Sequence, residues 1–216
     1  VKRYFSDWQG TGKKAAEPDF GKPTKGKEAA LIVEPTLPHI AMLAWLRPWY
    51  LKDDTIVYNE GLLTDALAVQ IINRRLETAA RGGSSYIFAE VSQDDISRSA
   101  NATFVSVTPI GDKWEEAVKD VRGVIADAVK TAPSQADIDR EKTLFANALR
   151  TGVDSYPFEA AAKQADDIVS AVDIRETVAA PQTVVDVFAA IATPSSPSPE
   201  PITVLTTAIS LSSVCR

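Results

Sequence analysis

Residues 58–108 read YNEGLLTDALAVQIINRRLETAARGGSSYIFAEVSQDDISRSANATFVSVT, and the reading of this stretch decides the fold. Leu62, Leu63, Ala66, Leu67, Val69, Ile72, Leu76 and Ala79 recur at the spacing that gives a helix one apolar face, while Asn73, Arg74, Glu77 and Arg81 fall mostly off it. Gly82-Gly83 is expected to stop the helix, because glycine takes the positive φ of a helix end, and Arg74, Arg75 and Arg81 place positive charge near the negative end of the dipole. The period then changes to two. Tyr86, Phe88 and Glu90 are expected on one face of a strand with Ile87, Ala89 and Val91 on the other. After the polar run Ser92 to Ser99, Phe104, Ser106 and Thr108 oppose Val105 and Val107 in a second strand.

Upstream, Ala29 to Glu34 is a short apolar strand candidate closed by Pro35 and Pro38. Ile40 to Arg47 is another, and both of its alternating sets are largely apolar, as in a strand covered on two faces. Trp49 and Tyr50 are expected to cover the edge of the core. Downstream, Asp112 with Glu115 suits a helix cap, and Trp114, Val118, Val121, Ile125 and Val129 make one stripe. Ser134 to Asp137 is a second capping signature, opening a helix in which Ile138, Phe145 and Leu149 share a face and which Gly152 is expected to stop. Phe158, Ala161, Ala165, Ile168 and Val172 form a third stripe, and Val184, Val185, Phe188 and Ile191 a short fourth one after Pro181. Strands and helices therefore come in blocks, β-β-α-β-β-α-α-α with the short stripe last, which predicts an α+β fold with helices against a mainly antiparallel sheet.

The ends differ in kind. Residues 1–28 read as a helix end carrying Tyr4, Phe5 and Trp8, followed by a Gly- and Lys-rich linker; 29–192 as the domain; and 193–216 as a Pro/Ser-rich spacer and β-prone tail. Val1 in place of Met fits a chain that begins inside a longer protein. The 216 residues are 45% hydrophobic, enough to bury a substantial core, and the net charge of −6 argues against a nucleic-acid binder, which carries a basic face for phosphates. No apolar run reaches membrane-spanning length. The compartment stays open between periplasm and cytoplasm.

Chemistry-bearing residues are sparse. His39 is the single histidine, so this chain cannot supply an H-x-x-E-H zinc site, and a Ser-His-Asp arrangement through it lacks a nucleophile elbow. Cys215 has no partner for a disulfide. The adjacent carboxylates Asp94-Asp95, Glu115-Glu116 and Asp166-Asp167 read as solvated faces or caps, since sequence neighbours do not face one another on a helix. No phosphate-binding glycine motif is present. No catalytic or metal-ligating residue is assigned. Arg75, Arg81 and Tyr86, around the helix-to-strand turn, are the substrate-binding candidates, because Arg offers a fork of donors and Tyr a hydroxyl to a peptide backbone or terminus, and a strand edge nearby can accept an extended peptide.

Several spaced strings carry a resemblance: DWQGTG and EPDFGKP near the start, LIVEPTLPHIAMLAWLRP at 31–48, residues 62–109, and SQADIDREKTLFANALRTGV at 134–153. Over roughly Tyr4 to Ile191 they resemble the non-catalytic second domain of pitrilysin- and insulinase-like zinc metallopeptidases, the inverzincins, whose fold is shared with mitochondrial processing peptidases. The resemblance implies an α/β roll that pairs with a neighbouring zinc-bearing domain or subunit to enclose a chamber for unfolded peptides. It implies that zinc sits on that other domain, with no cofactor in this chain. Many members hold substrate in a later domain through an Arg followed by a Tyr about seven positions on; counting back from Tyr86 by that spacing reaches Ala79, so the pair is not reproduced. Asn73, Arg74 and Arg75 resemble the N-x-R-L helix end common in this domain, expected to shape its surface. The expected role is a fragment of a bacterial-type metalloendopeptidase, inactive alone and prone to self-association through an uncovered apolar patch. A non-catalytic partner subunit of the same fold, or an unrelated module for extended peptides, are the alternatives.

Overall fold

A computed structural model describes residues 6, 7, 9, 12, 13, 15–34 and 36–192. The expected helix end with Tyr4, Phe5 and Trp8, and the whole tail 193–216 with Cys215, lie outside the described residues. The chain runs β1 (Ala41–Pro48), α1 (Ile56–Arg81), β2 (Tyr86–Ile96), β3 (Ala100–Pro109), α2 (Trp114–Lys130), α3 (Gln135–Ser155), a 3-10 turn (Tyr156–Phe158), α4 (Ala161–Asp173) and α5 (Pro181–Ala192). The three strands form one antiparallel sheet in the order β1-β3-β2, with α1 and α2 against one face and α3 and α5 packed on α1. The fold is α+β.

α1 begins at Thr55, whose side-chain oxygen accepts from the Tyr58 N–H at 3.2 Å, satisfying one of the orphan donors of the first turn. It ends at Arg81; Gly83, at φ 96°, turns the chain into β2. Its inward face is Ala68, Ile71, Ile72 and Leu76. Ile72 and Leu76 meet Val105 and Val107 of β3 and Val121 and Ile125 of α2 in a core from which water is excluded. Fully burying each such aliphatic side chain stabilises the fold by about 1.5–3 kcal/mol. Glu141 is the only charged residue buried among those described.

Several local expectations change in the folded chain. Ala29 to Glu34 forms no strand: Leu31, Ile32 and Val33 lie outside the sheet and largely exposed, because no neighbouring strand stands beside them. The second strand is covered on one face only, with Ala41, Leu43 and Trp45 on the core and Met42 and Leu46 in solvent. Tyr50 is exposed and covers no core edge. A bulge at the start of β2 shifts the register between Tyr86 and Phe88, so Tyr86 joins Ala89 and Val91 on the helix-facing side rather than Phe88 and Glu90 on the other. The polar run Ser92 to Ser99 between the two expected strands is itself strand as far as Ile96, and a tight turn at Ser97 to Ser99 closes the hairpin.

Among the helices, Asp112 does not cap α2, which starts at Lys113 without a side-chain cap, and α2 buries Ala117, Val121, Ile125 and Ala128 while Trp114 and Val129 face water. The small alanines let the helix approach the sheet closely, which rotates the buried stripe from the one that large residues alone suggest. Ser134 does cap α3, accepting from the Asp137 N–H at 3.1 Å. Gly152 lies inside α3, which continues to Ser155. Phe158 is exposed in the 3-10 turn, and α4 buries none of its residues. The fourth stripe is α5, whose Phe188 meets Phe145 of α3 edge to face at 5.0 Å.

Candidate functional site

β2 is an edge of the sheet, and α1 runs beside it. Between them lies a groove of about 640 Å³, with Gln70, Asn73, Arg74, Glu77 and Arg81 on the helix side and Tyr86 to Glu90 on the strand side. Ile87, Phe88 and Ile110 give it an exposed apolar rim.

The edge of β2 is closed at Val91. The Asn73 side-chain amide donates to the Val91 carbonyl at 3.0 Å, and its oxygen accepts from the Val91 N–H at 2.8 Å. A helix side chain thus takes both backbone groups that Val91 would offer a further strand. Alternate residues of an antiparallel strand share this outward orientation, so Ala89 also points away from β3. Ala89 is buried between the locked Val91 and the bulge at Ile87 and lines the groove floor.

Charges line the helix side in series. The Glu141 carboxylate, brought by α3, accepts from Arg140 Nε at 3.1 Å and Arg74 Nε at 3.2 Å; Arg74 Nη1 donates to Glu77 at 2.6 Å, and Glu77 also accepts from Arg81. Buried carboxylates are costly unless paired, and two guanidinium groups meet that need at Glu141. The chain of pairs ends at Arg81, whose side chain is 76% exposed at the groove.

The three candidates from the sequence fall in different places. Arg81 stands at the groove with donors free for a further acceptor, since Arg carries five N–H groups and one is committed to Glu77. Tyr86 forms part of the groove wall, but its ring is buried and its hydroxyl donates to the Leu76 carbonyl at 2.8 Å; burial, with Asp120 nearby, holds the phenol above its ordinary pKa and therefore protonated. Arg75 lies away from the groove and ties α1 to the end of α2 through the Thr131 carbonyl at 3.0 Å and Asp127 at 3.7 Å. His39 is a surface residue, 3.7 Å from Asp112. Among the described residues, no group of three or more His, Cys, Asp and Glu is arranged to hold a metal ion, and no helix is long and apolar enough to cross a membrane.

Two residues of the site were not singled out from sequence. Asn73, expected to shape the surface, instead locks the strand edge. Glu141 falls between Ile138 and Phe145 at helical spacing, so an acidic residue in phase with the apolar stripe of α3 was the available sign of a buried pair.

Solved structures share this fold. An insulinase family protease from Yersinia pestis superposes with a TM-score of 0.73 over 96% of this chain and 44% of its own, at 14% identity. The first half of the periplasmic protease PqqL from Escherichia coli superposes at 0.66 over 81% of this chain and 36% of its own, also at 14% identity. The fold is that of insulinase-family proteases. The periplasmic protease PqqL matches at 0.64 with 18% of its chain covered, so this chain spans less than half of each of these three structures. No family model matches the sequence, and no curated protein matches it either.

Proposed function

We propose that this chain is a non-catalytic domain of an insulinase-family zinc metalloendopeptidase, supporting the catalytic domain and forming part of the wall that holds unfolded peptide. The observation that carries this reading is the α1/β2 groove, which offers an exposed guanidinium and an apolar rim on an insulinase-like fold. A peptide in the groove would meet Arg81 with a carboxylate or carbonyl, while Tyr86 and Arg75 hold the helix and strand that frame it. Zinc would sit on the neighbouring domain or subunit, where it would activate the attacking water. The exposed apolar side chains on the open sheet face, Met42, Leu46 and Phe88, suit contact with that neighbour. The reading fits a soluble, bacterial-type protein of the periplasm or cytoplasm.

The test is hydrolysis of an unfolded protein by this chain alone and by the chain extended upstream in its gene, with zinc and then with a chelator. Activity only in the extended, zinc-loaded form is expected. Arg81→Ala in that form is expected to raise KM about tenfold with kcat little changed, as for a lost ground-state contact. Inactivity of both forms would favour the partner-subunit role, and activity of this chain alone would overturn the reading.

A further inference from the structure

β1 is the other edge of the sheet, paired only with β3 among the described strands. Which of its backbone groups are free follows from the ladder. The Trp49 N–H donates to the Ser99 carbonyl at 3.2 Å, one position beyond the Pro48 and Ala100 pair. Antiparallel bonds return at every second residue, so Arg47, Trp45, Leu43 and Ala41 bond to β3, and Leu46, Ala44 and Met42 turn their N–H and C=O groups outward. Those three residues share the sheet face that the helices leave open, where Met42 is 61% and Leu46 47% exposed. From Ile40 to Leu46 no charge, proline or bulge interrupts the edge. Edge strands in natural proteins are ordinarily blunted by one of these devices.

We propose that this edge docks a second copy of the chain, β1 against β1, antiparallel and centred on Ala44, making a continuous six-stranded sheet. The strand is complementary to itself in that register. Bonded pairs join outward residues, so Met42 of one copy lies opposite Leu46 of the other, and Ala44 meets Ala44 on the two-fold axis. The smallest of the three side chains falls where identical residues meet, and each large apolar one faces another of similar size. Arg47 lies opposite Ala41, which keeps the two Arg47 positions about 20 Å apart along the strands and avoids a like-charge contact. Pro48, which has no N–H to give, falls at the end of the ladder opposite Ile40. The exposed Leu37 of one copy and Tyr50 of the other then flank the same end of the joined strands and extend the apolar contact.

Light scattering on the 216-residue chain over a concentration series is expected to show a species of twice 23.3 kDa that grows with concentration. Ala44→Pro removes an outward N–H and no bond to β3, and it is expected to weaken the dimer about tenfold or more while leaving a folded monomer. A second variant reads the register directly. With Cys215→Ser in place, Ala44→Cys is expected to cross-link under oxidation, since residues of a bonded pair have Cα atoms about 5.5 Å apart, within disulfide reach; Met42→Cys faces Leu46 of the other copy and is expected not to. A monomer at every concentration, a dimer indifferent to Ala44→Pro, or cross-linking at Met42 in preference to Ala44 would each overturn the proposal. So would a monomer whose Leu31 to Val33 amides resist hydrogen exchange, because the chain's own segment would then occupy the edge.

Discussion

The two edges of one three-stranded sheet are finished differently. β2 carries a bulge at Ile87, acidic residues at Glu90, Asp94 and Asp95, and a helix side chain, Asn73, bonded to both backbone groups of Val91. β1 has none of these and turns apolar side chains and free amides outward together. Unpaired strand edges are templates for further strands unless something occupies or distorts them. An edge roofed by a helix therefore becomes the wall of a groove, and an edge without a roof becomes a joint.

The contrast is broken most forcefully by removing the lock. Asn73→Ala leaves the N–H and C=O of a buried Val91 without partners, and a loss of about 2–4 kcal/mol of stability is expected in urea unfolding, with faster hydrogen exchange at the Val91 amide. Unchanged exchange at Val91 would mean that the edge is closed by something else. Next in size is the roof itself. Glu141→Gln takes the charge from between Arg74 and Arg140, and a loss of about 1–2 kcal/mol is expected, held down because both guanidinium ends reach solvent. The loss should shrink in high salt.

Tyr86→Phe sharpens the comparison at the bulge. It deletes the hydrogen bond from the strand's buried ring to the Leu76 carbonyl and should cost about 1 kcal/mol, with peptide binding in the groove little changed. A large loss of binding would place the hydroxyl in contact with substrate instead. The smallest effect is expected at the entrance to β2, where the Ser85 N–H donates to Asp120 at 3.0 Å. That backbone bond, and then the Ser85 hydroxyl, hold the Asp120 carboxyl below its ordinary pKa. A lowered folded value means that the contribution is complete above the unfolded carboxylate range and is lost as pH falls through the folded value. Asp120→Asn should therefore narrow the stability gap between neutral and acid pH slightly; an unchanged pH profile would show that the pair contributes nothing.

How far the sequence could be read depended on whether the cause was local. The helix over Ile56–Arg81 and its glycine stop follow from periodicity and backbone freedom within one stretch, as does the Ser134 cap. Tyr86 shows the limit. Strict alternation put it with Phe88, and a single extra residue in the ladder moved it to the other face, a change that depends on how β3 pairs with β2. The buried stripe of α2 departs from the apolar one for a related reason, since the alanines it buries carry little hydrophobic signal and are chosen by the distance to the sheet. Arg81 was legible as a candidate because it sits at a helix end beside a turn; Asn73 as an edge lock was not, because its partner is 18 residues away in the chain.

The sequence by itself determined the class of the fold, the order of its principal elements and the acidic balance, because hydrophobic period, glycine and proline placement and charge act over a few residues or over the whole composition. Only the tertiary structure decided which edge of the sheet is locked, where a buried carboxylate finds its two guanidinium partners, and why Leu31 to Val33 stays outside the sheet. Those outcomes depend on strand register and on groups brought together from distant parts of the chain, and no local pattern encodes the distance between them.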